Sequence, residues 1–82
     1  MDEATARWSE QMRGMGFLWS STGEHWWRDD DGGGDTQIVQ YIGDGRWYAE
    51  AYREGTDWHW QSSSFDTPVV AAVHAELNNW GR

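Results

Sequence analysis

The stretch TQIVQYIGDGRWYAEAYR, residues 36–53, decides the fold. Its first seven residues are β-branched or aromatic at most positions, the composition of a pleated strand. Gly43, Asp44 and Gly45 follow. Glycine supplies the positive φ that a tight hairpin turn requires. Residues 46–53 then return as a second strand, with Trp47, Ala49 and Ala51 on one side and Tyr48, Glu50 and Tyr52 on the other.

Working outward, Glu54 and Gly55 read as a two-residue hairpin loop, and residues 56–61 (TDWHWQ) as the last strand, with Trp58 and Trp60 opposite Asp57, His59 and Gln61. Residues 62–65 lead into a helix. Asp66 or Thr67 caps it, and Pro68 takes the first helical position, where its missing N–H costs nothing. Val69, Val73, Leu77 and Trp80 recur at helical spacing and are expected to face the sheet. Upstream, residues 17–19 and 24–28 are short strands, the second carrying His25 and the adjacent pair Trp26 and Trp27, which must point to opposite faces. Residues 29–35 (DDDGGGD) read as a loop. Residues 2–14 read as a helix with the stripe Ala4, Trp8, Met12 and Met15, stopped by Gly14 and Gly16.

The fold expected is therefore α+β: an antiparallel β-meander of about four to five strands, flanked by an N-terminal and a C-terminal helix, in one domain over residues 1–82. Ala49 and Ala51 leave room for a helix to approach. This puts Trp47, Ala49, Ala51, Trp58 and Trp60 beneath the helices and leaves Tyr48, Glu50, Tyr52, Asp57, His59 and Gln61 as an open face.

Charge bounds the function. Fourteen Asp and Glu face six bases, all Arg, for a formal net charge of −8. Such a field repels phosphate backbones and anionic membranes and attracts basic surfaces. Direct nucleic-acid binding is excluded on this ground, because Arg28, Arg46 and Arg53 are interleaved with acids and form no basic patch. The eight Trp, three Tyr and two Phe provide the dense core that a small domain needs. With no Cys there is no disulfide framework and no thiolate metal site, and the expected setting is the cytoplasm.

Catalytic and metal chemistries find no pattern. The acidic loop fails as an EF-hand: counted from Asp29, the fifth position is Gly33 and the twelfth is Gln40. His25, His59 and His74 lack metal-ligand spacing. Lys and Cys nucleophiles are absent, and Ser62, Ser63 and Ser64 sit in no nucleophile elbow. The chain reads as a binder without catalysis, cofactor or metal. Its expected partner-binding residues are Asp29, Asp30, Asp31, Asp35, Asp44, Glu50, Glu54 and Asp57, with Tyr48, Tyr52 and Trp27 as aromatic anchors. Carboxylates so placed would pair with Arg and Lys that otherwise meet phosphates, so the expected partner is the basic surface of a nucleic-acid-binding protein.

In size, acidity, lack of Cys and lack of any catalytic motif, the chain resembles the small phage-encoded anti-CRISPR proteins, in particular inhibitors of the type I surveillance complex (Cascade). That group has no common motif, so the resemblance transfers no residues. It implies direct binding to an effector subunit and exclusion of target DNA. Two other readings remain open: a carbohydrate- or peptide-binding module with an aromatic platform, and an accessory phage protein whose acidity serves solubility or reflects a halophilic source. The expected assembly is a monomer or a weak homodimer, the latter through the strand edge at residues 17–19 or 58–60.

Overall fold

A computed structural model describes residues 3–20, 22, 25–29 and 35–79. The elements run α1 (Glu3–Gly14), β1 (Leu18–Ser20), β2 (His25–Asp29), β3 (Asp35–Gly43), β4 (Arg46–Arg53), β5 (His59–Phe65) and α2 (Pro68–Asn79). The five strands form one antiparallel sheet in sequence order, the expected meander between two helices. No helix among the described residues is long and apolar enough to cross a membrane.

Local chemistry sets the boundaries. Gly16, at φ +96°, reverses the chain after α1. Its N–H donates to Arg13 O (2.9 Å) and the Phe17 N–H to Met12 O (3.0 Å), the paired bonds of a Schellman motif. The accompanying apolar contact pairs Phe17 with Met12, both fully buried. Asp44 and Gly45 both take positive φ (55° and 71°), the two-residue turn that matches strand twist. Thr67 caps α2 by accepting the Val70 N–H on Oγ1 (3.1 Å), with Pro68 at the first helical position.

The β4–β5 connection is longer than the expected two-residue loop, and the last strand begins at His59 rather than residue 56. Thr56 explains the delay. Its N–H and hydroxyl both donate to Arg53 O (3.2 and 2.9 Å), and its Oγ1 accepts the Trp58 N–H (3.2 Å). These groups close a local turn and leave the ladder until His59. Trp58 is therefore a loop residue, 37% exposed, with the Arg53 guanidinium 5.1 Å from its ring centroid; it does not lie beneath a helix. Residues 62–65, expected as a connector, are strand. Opposite Ala49 the register shifts between Tyr48 and Glu50, and Ser62 Oγ accepts the Ala49 N–H (2.8 Å). Asp29 and Asp35, placed in the 29–35 loop from sequence, instead end β2 and begin β3.

The two helices meet on one face of the sheet. Met12 from α1 and Ala71, Ala72 and Ala75 from α2 share a core with Trp26, Val39, Trp47 and Ala49. Trp8 packs edge-on to Trp47 at 6.2 Å, and Trp19 edge-on to Trp26 at 5.2 Å. The α2 stripe expected from sequence is corrected here. Val73 and Leu77 are 39% and 69% exposed, and the buried side is Pro68, Ala71, Ala72 and Ala75. Volume complementarity explains the rotation. A sheet face that already carries two buried indoles has room for a helix only through its smallest side chains. Trp80, the last residue of the expected stripe, lies outside the described residues.

A polar cluster crosses this core. Arg28, read from sequence only as one of the arginines interleaved with acids, is buried. Its Nε donates to Gln37 Oε1 (2.8 Å), its Nη1 donates to Met15 O, and Glu76 lies 3.5 Å from Nη1. The guanidinium covers the Phe17 ring at 4.4 Å. Gln37, with no exposed surface, passes its Nε2–H on to Ala75 O (3.1 Å). Burial lowers the Arg28 pKa from its ordinary value while Glu76 opposes the shift; arginine stays charged regardless.

The rotated α2 yields the first prediction. Ala72→Leu forces extra volume against the indoles and should cost about 1–3 kcal/mol. Val73→Asp should leave the thermal midpoint nearly unchanged. Thermal melts of both variants check the helix face, and a collapse of only the Val73 variant would restore the stripe read from sequence.

Candidate functional site: the helix-free face of the sheet

The strand registers build the second face of the sheet in three rows. The first row is Ser20, His25, Gln40, Tyr48 and Ser64. The central row is Leu18, Trp27, Ile38, Glu50 and Gln61. The third row is Asp29, Thr36, Tyr52 and His59. Alternation thus divides the adjacent indoles as expected: Trp26 is fully buried beneath the helices, and Trp27 is half-buried on the open side.

Glu50 stands near the middle. Its carboxylate accepts from His59 Nε2 (3.1 Å) and from the Tyr48 hydroxyl (3.4 Å), and that hydroxyl also lies 3.4 Å from Gln40 Oε1. Burial pushes both tyrosines above their ordinary pKa, and Glu50 adds to the rise; for Tyr52 the Asp29 charge adds further. Both phenols therefore remain neutral donors at physiological pH. Asp29 accepts the Thr36 hydroxyl (2.8 Å), which fixes the carboxylate beside the floor of β3. Between these groups lies a shallow depression of about 300 Å³ lined by Ser20, His25, Trp27, Asp29, Thr36, Ile38 and Tyr52.

The residues expected at the site divide by position. Trp27, Asp29, Tyr48, Glu50 and Tyr52 come together on this face. Glu54 and Asp57 are exposed in the loop after β4, at the Asp29 end of the sheet; Asp57 is thus a loop residue and not part of the strand face. Asp44 occupies the hairpin turn at the opposite end. Asp35 is drawn inward. It is 6% exposed and bound at both oxygens by Arg53, Nε to Oδ1 at 2.7 Å and Nη2 to Oδ2 at 3.3 Å. Asp30 and Asp31 lie outside the described residues.

Thr36, Ile38 and His25 belong to the face and were not singled out from sequence. Alternation within residues 36–42 carried that signal once a neighbouring strand fixed the side. Of the described arginines, Arg46 alone lies on this side. It sits near the turn, held to Ser64 O (2.7 Å) and Ser64 Oγ (3.2 Å). Among the described residues no group of three His, Cys, Asp or Glu is placed to hold a metal ion. No protein-family model, curated protein or solved structure matches the chain.

The Asp35–Arg53 pair makes a pH prediction. The arginine hydrogen bonds hold the Asp35 carboxyl below its ordinary pKa. A depressed folded value means that the stabilisation is complete above the unfolded value of about 3.9 and is lost as pH falls through the folded one. In denaturant titrations, Asp35→Asn should be less stable than the parent near neutral pH, and the gap should close progressively below about pH 4. A constant gap would show that the ion pair contributes nothing through its charge.

Proposed function

We propose that this chain is a non-enzymatic binding protein whose helix-free sheet face and adjacent acidic loop occupy the basic, nucleic-acid-binding surface of another protein. The observation that carries the reading is the open face itself. Carboxylates of Asp29 and Glu50 stand among Trp27, Tyr48 and Tyr52, and on the described part of that face Arg46 is tied to Ser64 at a far corner. Aromatic side chains of this kind are enriched at interface hot spots because they bury large areas at low entropic cost. Carboxylates beside them select a cationic partner and speed the encounter. Glu54 and Asp57, exposed at the Asp29 end, extend the negative rim.

The resemblance in size, acidity and composition to anti-CRISPR proteins makes a Cascade subunit the first partner to test, in the cytoplasm of an infected cell. The mechanism would be exclusion. Protein carboxylates pair with the Arg and Lys side chains that otherwise hold phosphates, and DNA is kept out.

A different class of ligand has one observation in its favour. The depression beside Trp27 and Tyr52 also offers hydroxyl, imidazole and carboxylate groups, the equipment of a carbohydrate or peptide platform. Salt separates the two readings. Pairing between exposed charges weakens as the screening length shrinks from about 10 Å at 0.1 M to about 3 Å at 1 M, whereas stacking is hardly affected.

The test is a gel-shift titration of purified type I surveillance complex and its target DNA with this protein, at low and high salt. DNA binding should be lost near stoichiometry at low salt and restored at high salt. The triple variant Asp29→Lys, Glu54→Lys, Asp57→Lys should inhibit at least about tenfold less well, since rim charges act jointly on the encounter. Undiminished inhibition by that variant, or none by the parent at any ratio, would contradict the proposal for this complex.

A further inference from the structure

We propose that the depression between Trp27 and Tyr52 is an anchor pocket for one arginine side chain of the partner protein, with Asp29 as its counter-ion. The inference rests on the acidic-docking reading above and deepens it by assigning where a single cation is held.

The register carries the geometry. Trp27 on β2 and Tyr52 on β4 flank β3, whose Ile38 and Thr36 pair with them and form the floor. Trp27, in the central row, and Tyr52, in the third, sit diagonally across β3: about 10 Å across the strands and about 7 Å along them, their backbones are about 12 Å apart. Two van der Waals contacts of about 3.5–4.0 Å each, one on either side of a flat group, fit within that distance. A planar guanidinium fits such a slot, stacks on aromatic faces and is weakly hydrated. An ammonium is compact and strongly hydrated and gives up more on entry.

Charge selects the occupant. Asp29 is fixed at the pocket by the Thr36 hydroxyl on one carboxylate oxygen, and its other oxygen is the acceptor proposed for a ligand N–H. Glu50 adjoins Ile38 in the central row. Both carboxylates act on the Tyr52 hydroxyl, which stays protonated beside them. Among the described residues no cationic Arg lines the depression, so its field is negative. Aromatic walls and a carboxylate make a site for a cation rather than for a neutral sugar.

The test uses the intact protein and needs no partner. Two-dimensional amide and indole NMR spectra are followed during titration with acetyl-arginine methylamide, its lysine and citrulline analogues, and cellobiose. Citrulline keeps the planar shape and removes the charge. The arginine probe should shift the Trp27 indole and the Thr36 and Ile38 amides saturably. The citrulline probe should bind at least about tenfold more weakly, and the lysine probe should fall between them. Trp27→Ala and Asp29→Asn should each weaken the arginine probe at least about tenfold, with dispersed spectra showing that the fold is kept.

Equal shifts from citrulline, shifts centred elsewhere, or stronger binding of cellobiose at the same resonances would overturn the pocket. Its failure is distinct from failure of the docking reading. If no probe binds but charge reversal at Asp29, Glu54 and Asp57 still abolishes inhibition, the acidic surface stands and the arginine pocket falls. If the arginine probe binds as stated and charge reversal has no effect on inhibition, the pocket stands and the proposed partner falls.

Discussion

Arg28 and Gln37 form the constraint around which this small fold is arranged. A guanidinium and a carboxamide side by side in a core are tolerable when most of their donors and acceptors are met. Here the partners come from four places: Met15 O at the end of α1, the Gln37 side chain on β3, Ala75 O on α2 and Glu76 one residue further. Every one of them lies on the same side of the sheet. Moving either helix to the other face would strand a buried cation, so the cluster supplies specificity that apolar contacts, being non-directional, do not.

The alanine side of α2 follows from the same crowding. Trp26, Trp47 and Phe17 already fill the layer, and Ala71, Ala72 and Ala75 let the helix settle close enough for the Ala75 carbonyl to meet Gln37. With both helices committed to one face, no helix among the described residues covers the other. Trp27, Ile38, Tyr48 and Tyr52 remain there beside Asp29 and Glu50, and the functional proposals grow from that exposure. The sheet edges are short or irregular. β1 is three residues long, and the register shift opposite Ala49 interrupts β5.

Much of this was legible in the chain. The strand–turn–strand of residues 36–53, the stop at Gly16 and the start at Pro68 rest on backbone chemistry that a local sequence expresses directly. The division of β4 into a helix side and an open side was also readable, because two alanines between bulky neighbours mark where another element comes close. The α2 face was not. Apolar periodicity favoured Val69, Val73 and Leu77, and of these only Val69 packs against the core; the choice depended on the volume of Trp side chains distant in sequence. Residues 56–58 misled for a different reason: TDWHWQ, residues 56–61, alternates like a strand, but the Thr56 groups are spent on Arg53 O and the ladder starts only at His59. Burial of Arg28 and capture of Asp35 by Arg53 are tertiary outcomes with no local signature. Capture of Asp35 removed one expected contact acid from the partner-binding set.

The most direct test of this account is hydroxyl-radical footprinting of the free protein, read residue by residue by mass spectrometry. The account predicts fast oxidation at Trp27, Tyr48 and Tyr52, and protection at Trp26, Trp47, Phe17 and Met12. Protection of Trp27 together with rapid oxidation of Trp26 would mean that the helices cover the opposite face, and the site described here would be core.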